Sequence, residues 1–327
     1  MQHIYIFVIL IIVELVYFRI ADAFRIIDKP NIRSSHTHVT RLGGGIIFTV
    51  GMWLYAAFFG GDYIWFLIGL TLVATLSFID DLHSLPKIYR LVFHFIAIGL
   101  MFYQWDILNM ELWWVIVLTM IVCIGIMNAY NFMDGINGIT AGYSLALLIP
   151  LTIINYQREF MDMNYLYVAM MSVVVFAFFN FRTKAKCFAG DVGSFGIAFI
   201  ILFALGKLII DTNDFWVIVF LTIYGVDSVL TIIHRLLLHE NITDAHRKHA
   251  YQLMANELRI PHVYVSLIYM GLQLLISLGV IGIPERYKYM YLIVVVIAMA
   301  ILYILFMKKY YHLHEAYLKE KNKSIKE

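Results

Sequence analysis

The chain has 327 residues, of which 62% are hydrophobic and only 14% are charged, and its mean hydropathy is +0.81. Soluble domains carry about 25% charged residues, so this composition excludes an ordinary soluble domain and indicates a polytopic membrane protein. The formal net charge of +2 is uninformative taken whole, because the placement of Lys and Arg matters more than their sum in such proteins. We expect no nucleic-acid partner. The two cysteines, Cys123 and Cys187, are expected to be free thiols.

Apolar runs separated by short polar segments divide the chain. A hydrocarbon core of about 30 Å needs roughly 20 apolar residues per helix, and fewer where helix ends lie in the interface. Eleven candidate spans follow, near residues 2–20, 43–60, 63–79, 90–104, 112–127, 139–154, 165–181, 193–210, 214–233, 262–282 and 289–307. The first is expected to remain as a span, because no basic residue precedes it and no small-residue cleavage site follows. We therefore expect an all-α polytopic membrane protein of about eleven transmembrane helices, with residues 1–327 in a single domain.

The placement of Lys and Arg predicts the orientation of the chain. The segments after spans 1, 3, 5, 7 and 9 and the C-terminal tail, together with Arg90 at the start of the fourth span, hold 19 of these residues, whereas the opposite segments hold three. Cytoplasmic segments of membrane proteins are enriched in Lys and Arg, so we expect the N-terminus outside and the C-terminus in the cytoplasm. The polar motifs described next would then all lie in cytoplasmic loops, where we expect the active site.

The first of these loops combines basic residues with a glycine run. Arg33, His36 and Arg41 offer cationic donors, and three glycines at 43–45 stand at the start of the second span. Backbone N–H groups at a helix N-terminus with flanking Arg are typical of a phosphate site. The alternative is that the basic residues only hold the loop inside, while the glycines permit close helix packing.

Two adjacent carboxylates, Asp80 and Asp81, close the third span. Charge is expensive beside hydrocarbon, and neighbouring like charges raise one pKa or recruit a cation, so we interpret the pair as part of a site. A solvated helix cap is the alternative. Arg90 enters the fourth span from the same side, where it would face these carboxylates or an anionic ligand, or else serve as a snorkelling anchor.

Oxygen-bearing side chains recur at two further span ends. Asn128, Asn131 and Asp134 are spaced by three, so they share a face on a helical turn. Asp191 is flanked by glycines before the eighth span, where backbone can approach a ligand closely. Mg²⁺ prefers such oxygen ligands, completed by water and substrate phosphates. The structural alternatives are a polar turn for the first group and a helix cap for Asp191.

The loop after the ninth span carries a basic histidine motif. His246 and His249 are three residues apart, with Arg247 between them, and would share a helical face. A zinc pair is disfavoured because no cysteine or third spaced ligand accompanies them. We interpret these residues as cations aimed at a pyrophosphate or a lipid phosphate, with a solvated basic loop as the alternative. Asp227, inside the ninth span, is expected to support them by pairing with a His or Arg.

These segments, in this order, resemble the polyprenyl-phosphate N-acetylhexosamine-1-phosphate transferase family, of the glycosyltransferase family 4 type. The matching stretches are Arg33-Ser-Ser-His36 with the glycines at 43–45, Asp80-Asp81-Leu-His-Ser-Leu-Pro86, Asn128-Ala-Tyr-Asn131-Phe-Met-Asp134-Gly-Ile-Asn137-Gly138, Gly190-Asp191-Val-Gly193-Ser194 and His246-Arg-Lys-His249. One such motif is weak, whereas five in register across most of the chain are specific.

The resemblance implies transfer of an N-acetylhexosamine-1-phosphate, with GlcNAc-1-phosphate favoured, from a UDP-sugar to undecaprenyl phosphate. UMP would be released, and a lipid-linked cell-surface glycan would be initiated. The expected cofactor is Mg²⁺, with Mn²⁺ as a substitute, and the expected location is the bacterial inner (cytoplasmic) membrane with a cytoplasmic catalytic face. The family analogy also implies a homodimer.

The resemblance implies the metal role of Asp191 and Asn131 and the lipid-phosphate role of Asp80 and Asp81. The other roles are assigned from residue chemistry and position. The predicted catalytic residues are Asp80, Asp81, Asp134, His246 and His249. The predicted substrate-binding residues are Arg33, His36, Arg41, Arg90, Asn128, Asn131 and Arg247. The predicted metal ligands are Asp191 and Asn131.

Two departures from the family pattern affect these expectations. Asn137 stands where many bacterial members carry Asp, so it is left out of the catalytic set, and the usual Pro before the glycine run is missing.

The His-Arg-Lys-His segment resembles O-antigen and capsule initiating enzymes more than the peptidoglycan translocase. A UDP-MurNAc-pentapeptide phosphotransferase is nevertheless an alternative. A secondary transporter is disfavoured, because its polar groups would lie near the membrane midplane between inverted repeats, whereas these cluster at one surface and no repeat is visible. A non-catalytic scaffold is disfavoured because it would not explain the order of the motifs.

Overall fold

A computed structural model describes residues 1–30, 35–36, 38–108, 113–242 and 246–324, with side chains as far as residue 318. Within these ranges the chain forms twelve α-helices: α1 (Gln2–Phe24), α2 (Ile46–Phe59), α3 (Ile64–Leu82), α4 (Lys87–Gln104), α5 (Trp113–Met133), α6 (Ile139–Arg158), α7 (Met163–Asn180), α8 (Gly190–Thr212), α9 (Thr222–Leu237), α10 (Ala250–Gln252), α11 (His262–Ile281) and α12 (Lys288–Ser324). A 3₁₀ segment, Phe215–Leu221, leads into α9, and a π-helical turn, Leu253–Glu257, continues α10. Each of the eleven predicted spans overlaps one of these α-helices, and the ninth also includes the 3₁₀ segment before α9.

The fold class agrees with the prediction from composition. Nine helical segments of the described chain are long and apolar enough to cross a membrane. The 14-residue α2 is shorter, and α4, which begins with Lys87 and carries Arg90, is not among the nine. The chain is therefore an all-α, multi-pass membrane protein. The number of crossings and the sides of the two termini stay predictions.

The central helix of the bundle is α8. Its residues are buried almost without interruption from Val192 to Leu205, as expected for a helix that is apolar on every face. It packs against α3, α5 and α2, while α6 packs against α11 and α7, and α12 lies at the periphery beside α9. Exposed Ile, Leu and Val side chains cover the outer faces of α1, α5 and α12.

Two helices begin after glycines with positive φ at the end of the bundle that carries the polar motifs. Gly190 (φ +72°) opens α8, and Gly138 (φ +86°) precedes α6. A Cβ on Gly138 would lie only 2.1 Å from the ring of Phe181, so the position requires glycine for both backbone and space. Because neighbouring helices alternate in direction, the last turns of α3 and α5 meet the first turns of α2, α4 and α8 here.

A small β-ribbon at this end was not predicted. β1 (Ile27–Asp28) pairs antiparallel with β2 (Thr40–Arg41), and Arg41 forms a parallel bridge with Cys187. The glycine run continues this pairing, since Gly44 N donates to Phe188 O (2.9 Å) and Gly45 N donates to Ala189 O (3.1 Å). The phosphate interpretation of these backbone N–H groups is therefore wrong, and the close-packing alternative describes the glycines.

Candidate active site

Four separate segments of the chain meet at Asp191. The amide of Asn131, in the last turn of α5, donates to Asp191 Oδ1 (2.7 Å) and to Ser194 Oγ (3.0 Å). The guanidinium of Arg90, in the first turn of α4, lies 3.3 Å from Asp191 Oδ2 and 2.8 Å from Asp80 Oδ2. The predicted metal ligands and the predicted anion-binding Arg90 are thus brought together.

The two adjacent aspartates of α3 have different partners. Asp81 accepts hydrogen bonds from the backbone N–H groups of Asp191 (2.9 Å) and Val192 (3.1 Å), so its carboxylate caps the N-terminus of α8. Asp80 instead accepts from Leu85 N (2.6 Å) and pairs with Arg90. The alternative in which Asp191 caps its own helix is wrong, because Asp81 supplies that cap.

A cavity of about 310 Å³ opens beside this cluster. We call it the aspartate cavity, because its lining includes Asp81, Asp134 and Asp191 together with Asn131. Asp134 accepts a hydrogen bond from Thr140 Oγ1 (2.6 Å), while burial raises the pKa of this carboxyl to about 6. Burial of several carboxyl groups around one cavity favours a cationic ligand, since a cation offsets their mutual repulsion.

The side chains around Asp191 fit a hard divalent cation. Among the described residues no group of three or more His, Cys, Asp or Glu side chains could hold a metal by itself. Mg²⁺ commonly takes only one or two protein carboxylates and completes its shell with water and substrate phosphates. An Asp with a neighbouring Asn amide is a donor set of that kind, whereas a zinc site would require more nitrogen or sulfur ligands.

The first-loop residues behave differently from one another. Arg33 lies outside the described residues. His36 lines the aspartate cavity, 3.8 Å from Asp28 Oδ2, and burial lowers the pKa of its imidazole, so the expected cationic donor is not supported. The guanidinium of Arg41 pairs with both carboxylate oxygens of Asp22 (2.7 Å each) and lies over Phe18. Arg41 does not line the aspartate cavity, and we leave it out of the proposed site.

A second cavity, of about 690 Å³, adjoins the first at Asn131, which lines both. We call it the histidine cavity. Its polar lining includes Arg90, His94, Asn128, Asn131, His246 and His249. Its walls also include the apolar side chains of Leu91, Phe132 and Ile242, which are 41%, 45% and 48% exposed. A cavity with polar groups inside and an exposed apolar rim suits a ligand with a charged head and a hydrocarbon tail.

The predicted pairing of Asp227 is confirmed by its contact with His249. Asp227 Oδ1 lies 3.2 Å from His249 Nδ1 and accepts from Ala250 N (3.1 Å), while Oδ2 accepts from Tyr269 OH (2.6 Å). Because a carboxylate can only accept, the ring nitrogen that faces it carries a proton, and this contact fixes the direction of the ring. His249 Nε2 has no hydrogen-bond partner within the described chain.

The shared helical face predicted for His246 and His249 is wrong, because both precede α10 and His249 is its N-cap residue. Their rings nevertheless lie 5.0 Å apart, and both line the histidine cavity. Burial, helped by nearby His249, Arg235 and Lys248, lowers the pKa of His246 to about 3. This imidazole is therefore uncharged near neutral pH and is not the cation that was expected.

Arg247 turns away from both cavities. Its guanidinium lies 2.9 Å from Glu257 Oε1 and over the ring of Tyr317, so it braces this loop against α12. The α5 asparagines also separate: Asn128 donates to Ile124 O (2.8 Å) and faces only the histidine cavity. The common face predicted for Asn128, Asn131 and Asp134 is divided between two cavities.

Sequence reasoning missed His94. It lies on α4, one turn after Arg90, and is buried with only 2% of its surface exposed. The available signal was the spacing of four residues from Arg90, which places both side chains on one helix face. In an otherwise apolar run that spacing alone did not distinguish a site residue from a core histidine.

A comparison with protein-family models covers most of the helices that form this site. Residues 63–209 match the model of glycosyl transferase family 4. That match runs from α3 to α8 and includes Asp80, Asp81, Arg90, Asn131 and Asp191.

Curated relatives cover different shares of the chain. The chain is 28% identical over 260 residues, 72% of each chain, to the "Probable undecaprenyl-phosphate N-acetylglucosaminyl 1-phosphate transferase" of Bacillus subtilis (strain 168). It is 26% identical over 184 residues to a phospho-N-acetylmuramoyl-pentapeptide-transferase of Listeria welshimeri, covering 47% of this chain and 56% of that one. A protein of the same name from Deinococcus radiodurans is 29% identical over 113 residues, 34% of this chain and 32% of its own. From α3 to α8 the chain is similar to glycosyl transferase family 4. Together with its motifs and its membrane fold, these matches indicate a membrane phosphotransferase.

Proposed function

We propose that this enzyme transfers GlcNAc-1-phosphate from UDP-GlcNAc to undecaprenyl phosphate and releases UMP. An oxygen of the lipid phosphate would attack the β-phosphorus of the nucleotide sugar, and the bond from that phosphorus to the oxygen of the α-phosphate would break. The observation that carries the proposal is the junction at Asn131, where a carboxylate-lined cavity meets a cavity with an apolar rim. Two anionic substrates, one soluble and one lipid, require such a pair of adjoining sites.

The donor's pyrophosphate would lie in the aspartate cavity. Asp191 and Asn131 would hold Mg²⁺ there, and the bound ion would supply charge neutralisation and polarisation of the phosphoryl oxygens. Asp81 would act by fixing the first turn of α8, and hence the position of the Asp191 carboxylate. Because the reaction joins two anions, positioning and charge neutralisation should supply most of the catalysis.

The acceptor would lie in the histidine cavity, with its phosphate toward Arg90 and its prenyl chain across the apolar rim. The second pKa of a phosphate monoester is about 6, so the attacking group is mostly dianionic at neutral pH and needs little base catalysis. Asp80 would serve mainly to hold Arg90 in place through its 2.8 Å contact. We expect the catalytic face to be cytoplasmic, where UDP-sugars are made, and the protein to act as a homodimer.

Several relatives are named phospho-N-acetylmuramoyl-pentapeptide-transferases, so transfer of MurNAc-pentapeptide phosphate is the second candidate. The wider coverage of the Bacillus subtilis protein, 72% against 47% or less of this chain in the two quoted, favours GlcNAc. A secondary transporter is set aside, because the polar residues lie at helix ends rather than at mid-bundle.

A donor screen tests the proposal. Purified protein, undecaprenyl phosphate and Mg²⁺ are incubated with each UDP-N-acetylhexosamine or with UDP-MurNAc-pentapeptide, and UMP release is measured. We expect release with UDP-GlcNAc, dependence on the lipid phosphate, and loss with EDTA that Mg²⁺ or Mn²⁺ restores. UMP release only with UDP-MurNAc-pentapeptide would support the second candidate instead. UMP release that resists EDTA would contradict the metal requirement.

A further inference from the structure

One buried side chain of the histidine cavity has no role in the scheme above. His94 is 2% exposed, and its Nε2 has no hydrogen-bond partner in the part of the chain that the structure describes. Its ring packs against Phe195, with 4.7 Å between the ring centroids. A buried polar group left without a partner is costly, so its position in the cavity wall indicates a ligand that completes it.

A second imidazole from a different element lines the same cavity in the same condition. His249 is also 2% exposed, and its Nε2 has no partner among the described residues. Its ring cannot turn freely, because Asp227 engages Nδ1 and is itself held by Tyr269 OH (2.6 Å) and Thr231 Oγ1 (3.1 Å). The cavity is thus lined by two imidazole nitrogens, one from α4 and one from the N-cap residue of α10, that a polar ligand could engage.

The other residues that line the histidine cavity indicate the chemical class of that ligand. Arg90 contributes a cation one turn before His94, and Leu91, Phe132 and Ile242 form the exposed apolar rim. Imidazole N–H groups beside a guanidinium match the several acceptor oxygens of a phosphate. The apolar rim matches a chain that stays in the bilayer.

We propose that His94 is a binding residue for the terminal phosphate of the lipid acceptor and acts together with His249. This inference rests on the proposed function, since it names residues that hold that function's acceptor. His94 donates through Nε2 to one phosphate oxygen and Arg90 donates to another. His249, whose Nδ1–H faces Asp227, engages a third when its Nε2 also carries a proton. The hydrogen bond is made to the acceptor and not to the nucleotide sugar, so its loss affects one substrate selectively.

Steady-state kinetics of His94→Leu and His94→Phe test the proposal, with the two substrates varied independently. Loss of one hydrogen bond to a charged group should raise the KM for polyprenyl phosphate by about tenfold. The KM for the UDP-sugar should stay unchanged. His94→Gln keeps an N–H donor of similar reach and should recover most of the affinity. His312→Leu, at an exposed position on α12, is the matched control and should match wild type.

A purely structural role for His94 would lower kcat and the folded fraction in both apolar variants, without a selective change in the acceptor KM. That result would overturn the proposal, as would an acceptor KM that stays within twofold of wild type in the apolar variants. Failure of His94→Gln to recover affinity, with the protein still folded, would also overturn it. The phenylalanine variant retains a ring of similar size, so it keeps the test available if the leucine variant does not fold.

A binding measurement separates this inference from the proposed function. Thermal shifts are recorded with polyprenyl phosphate, with the matching polyprenol and with inorganic phosphate. Stabilisation by the phosphorylated lipid alone, lost in His94→Leu, supports the site even if no UDP-sugar is turned over. If wild type turns over and the lipid stabilises wild type and His94→Leu equally, the proposed function is kept and the inference about His94 is wrong. Stabilisation by inorganic phosphate alone would show a site without lipid selectivity and would also contradict it.

Discussion

At the scale of single residues, the two adjacent aspartates of α3 have different structural roles because their side chains leave the helix in different directions. Both carboxylates lie in the last turn of the helix, but successive residues point about 100° apart around a helix axis. Asp81 therefore meets the backbone of α8, whereas Asp80 meets Arg90. The pair predicted as a catalytic unit consists of a helix cap and an ion-pair partner, and its two members should respond differently to substitution.

We predict that Asp81→Asn lowers stability as well as activity. An amide offers one acceptor oxygen where the carboxylate serves two backbone N–H groups at a helix N-terminus, so unfolding should become easier by about 1 kcal/mol. Thermal unfolding in detergent measures this loss, with Asp62→Asn, exposed at the other end of α3, as the control. An unchanged midpoint would contradict the capping role.

Asp191→Asn should instead remove activity while the protein still folds. The carboxylate charge that would hold the metal is lost, so turnover should fall by roughly 100-fold or more. The α8 cap comes from Asp81 and remains, so the thermal midpoint should change little. UMP release and thermal unfolding are measured on the same preparation, and near-normal turnover would remove the metal assignment.

At the scale of helices, the site depends on the close approach of α2 and α8. A Cβ built on Gly45 would lie 2.3 Å from the Cα of Gly193, so only two glycines allow these first turns to touch. Gly193 is two residues from Asp191, and this contact therefore sets where the carboxylate lies. The Pro missing before the glycine run has no visible consequence for this packing.

Gly45→Ala should accordingly separate α2 from α8 and displace Asp191. Small-to-large changes in packed cores cost about 1–3 kcal/mol, and a shift of the carboxylate should lower turnover by more than the loss of folded protein explains. Gly61→Ala, where a Cβ meets nothing within 4 Å, is the control on the far side of α2. Normal activity per folded molecule in Gly45→Ala would show that this contact does not position the site.

At the scale of the whole molecule, the polar motifs gather at one end of the bundle. α2, α4 and α8 begin there, and α3 and α5 end there. The segments counted as rich in Lys and Arg lie at the same end, so the positive-inside rule predicts a site on the cytoplasmic side. The proposed transfer, from a nucleotide sugar in water to a lipid acceptor in the bilayer, requires such a position at the membrane surface.

Cysteine labelling tests this orientation. Cys123 and Cys187 are buried and should react little, so single cysteines can be introduced at exposed sites at each end. Ser84→Cys, between α3 and α4, should react with a membrane-impermeant maleimide only after cells are permeabilised. Asp62→Cys, between α2 and α3, should react in intact cells. The reverse pattern would invert the topology and place the site outside.

The sequence by itself determined the membrane class, the helices at the eleven predicted spans and the segments that meet at the candidate site, because hydropathy, helix length and polar interruptions are local properties of a chain. Asp191, Asn131 and Arg90 were selected correctly as residues that meet. Tertiary structure alone decided that Asp81 caps α8, that Arg41 and Arg247 pair with Asp22 and Glu257 outside both cavities, and that His94 lines the second cavity. Those outcomes depend on the directions in which side chains leave packed helices and on partners distant in sequence, which no local pattern contains.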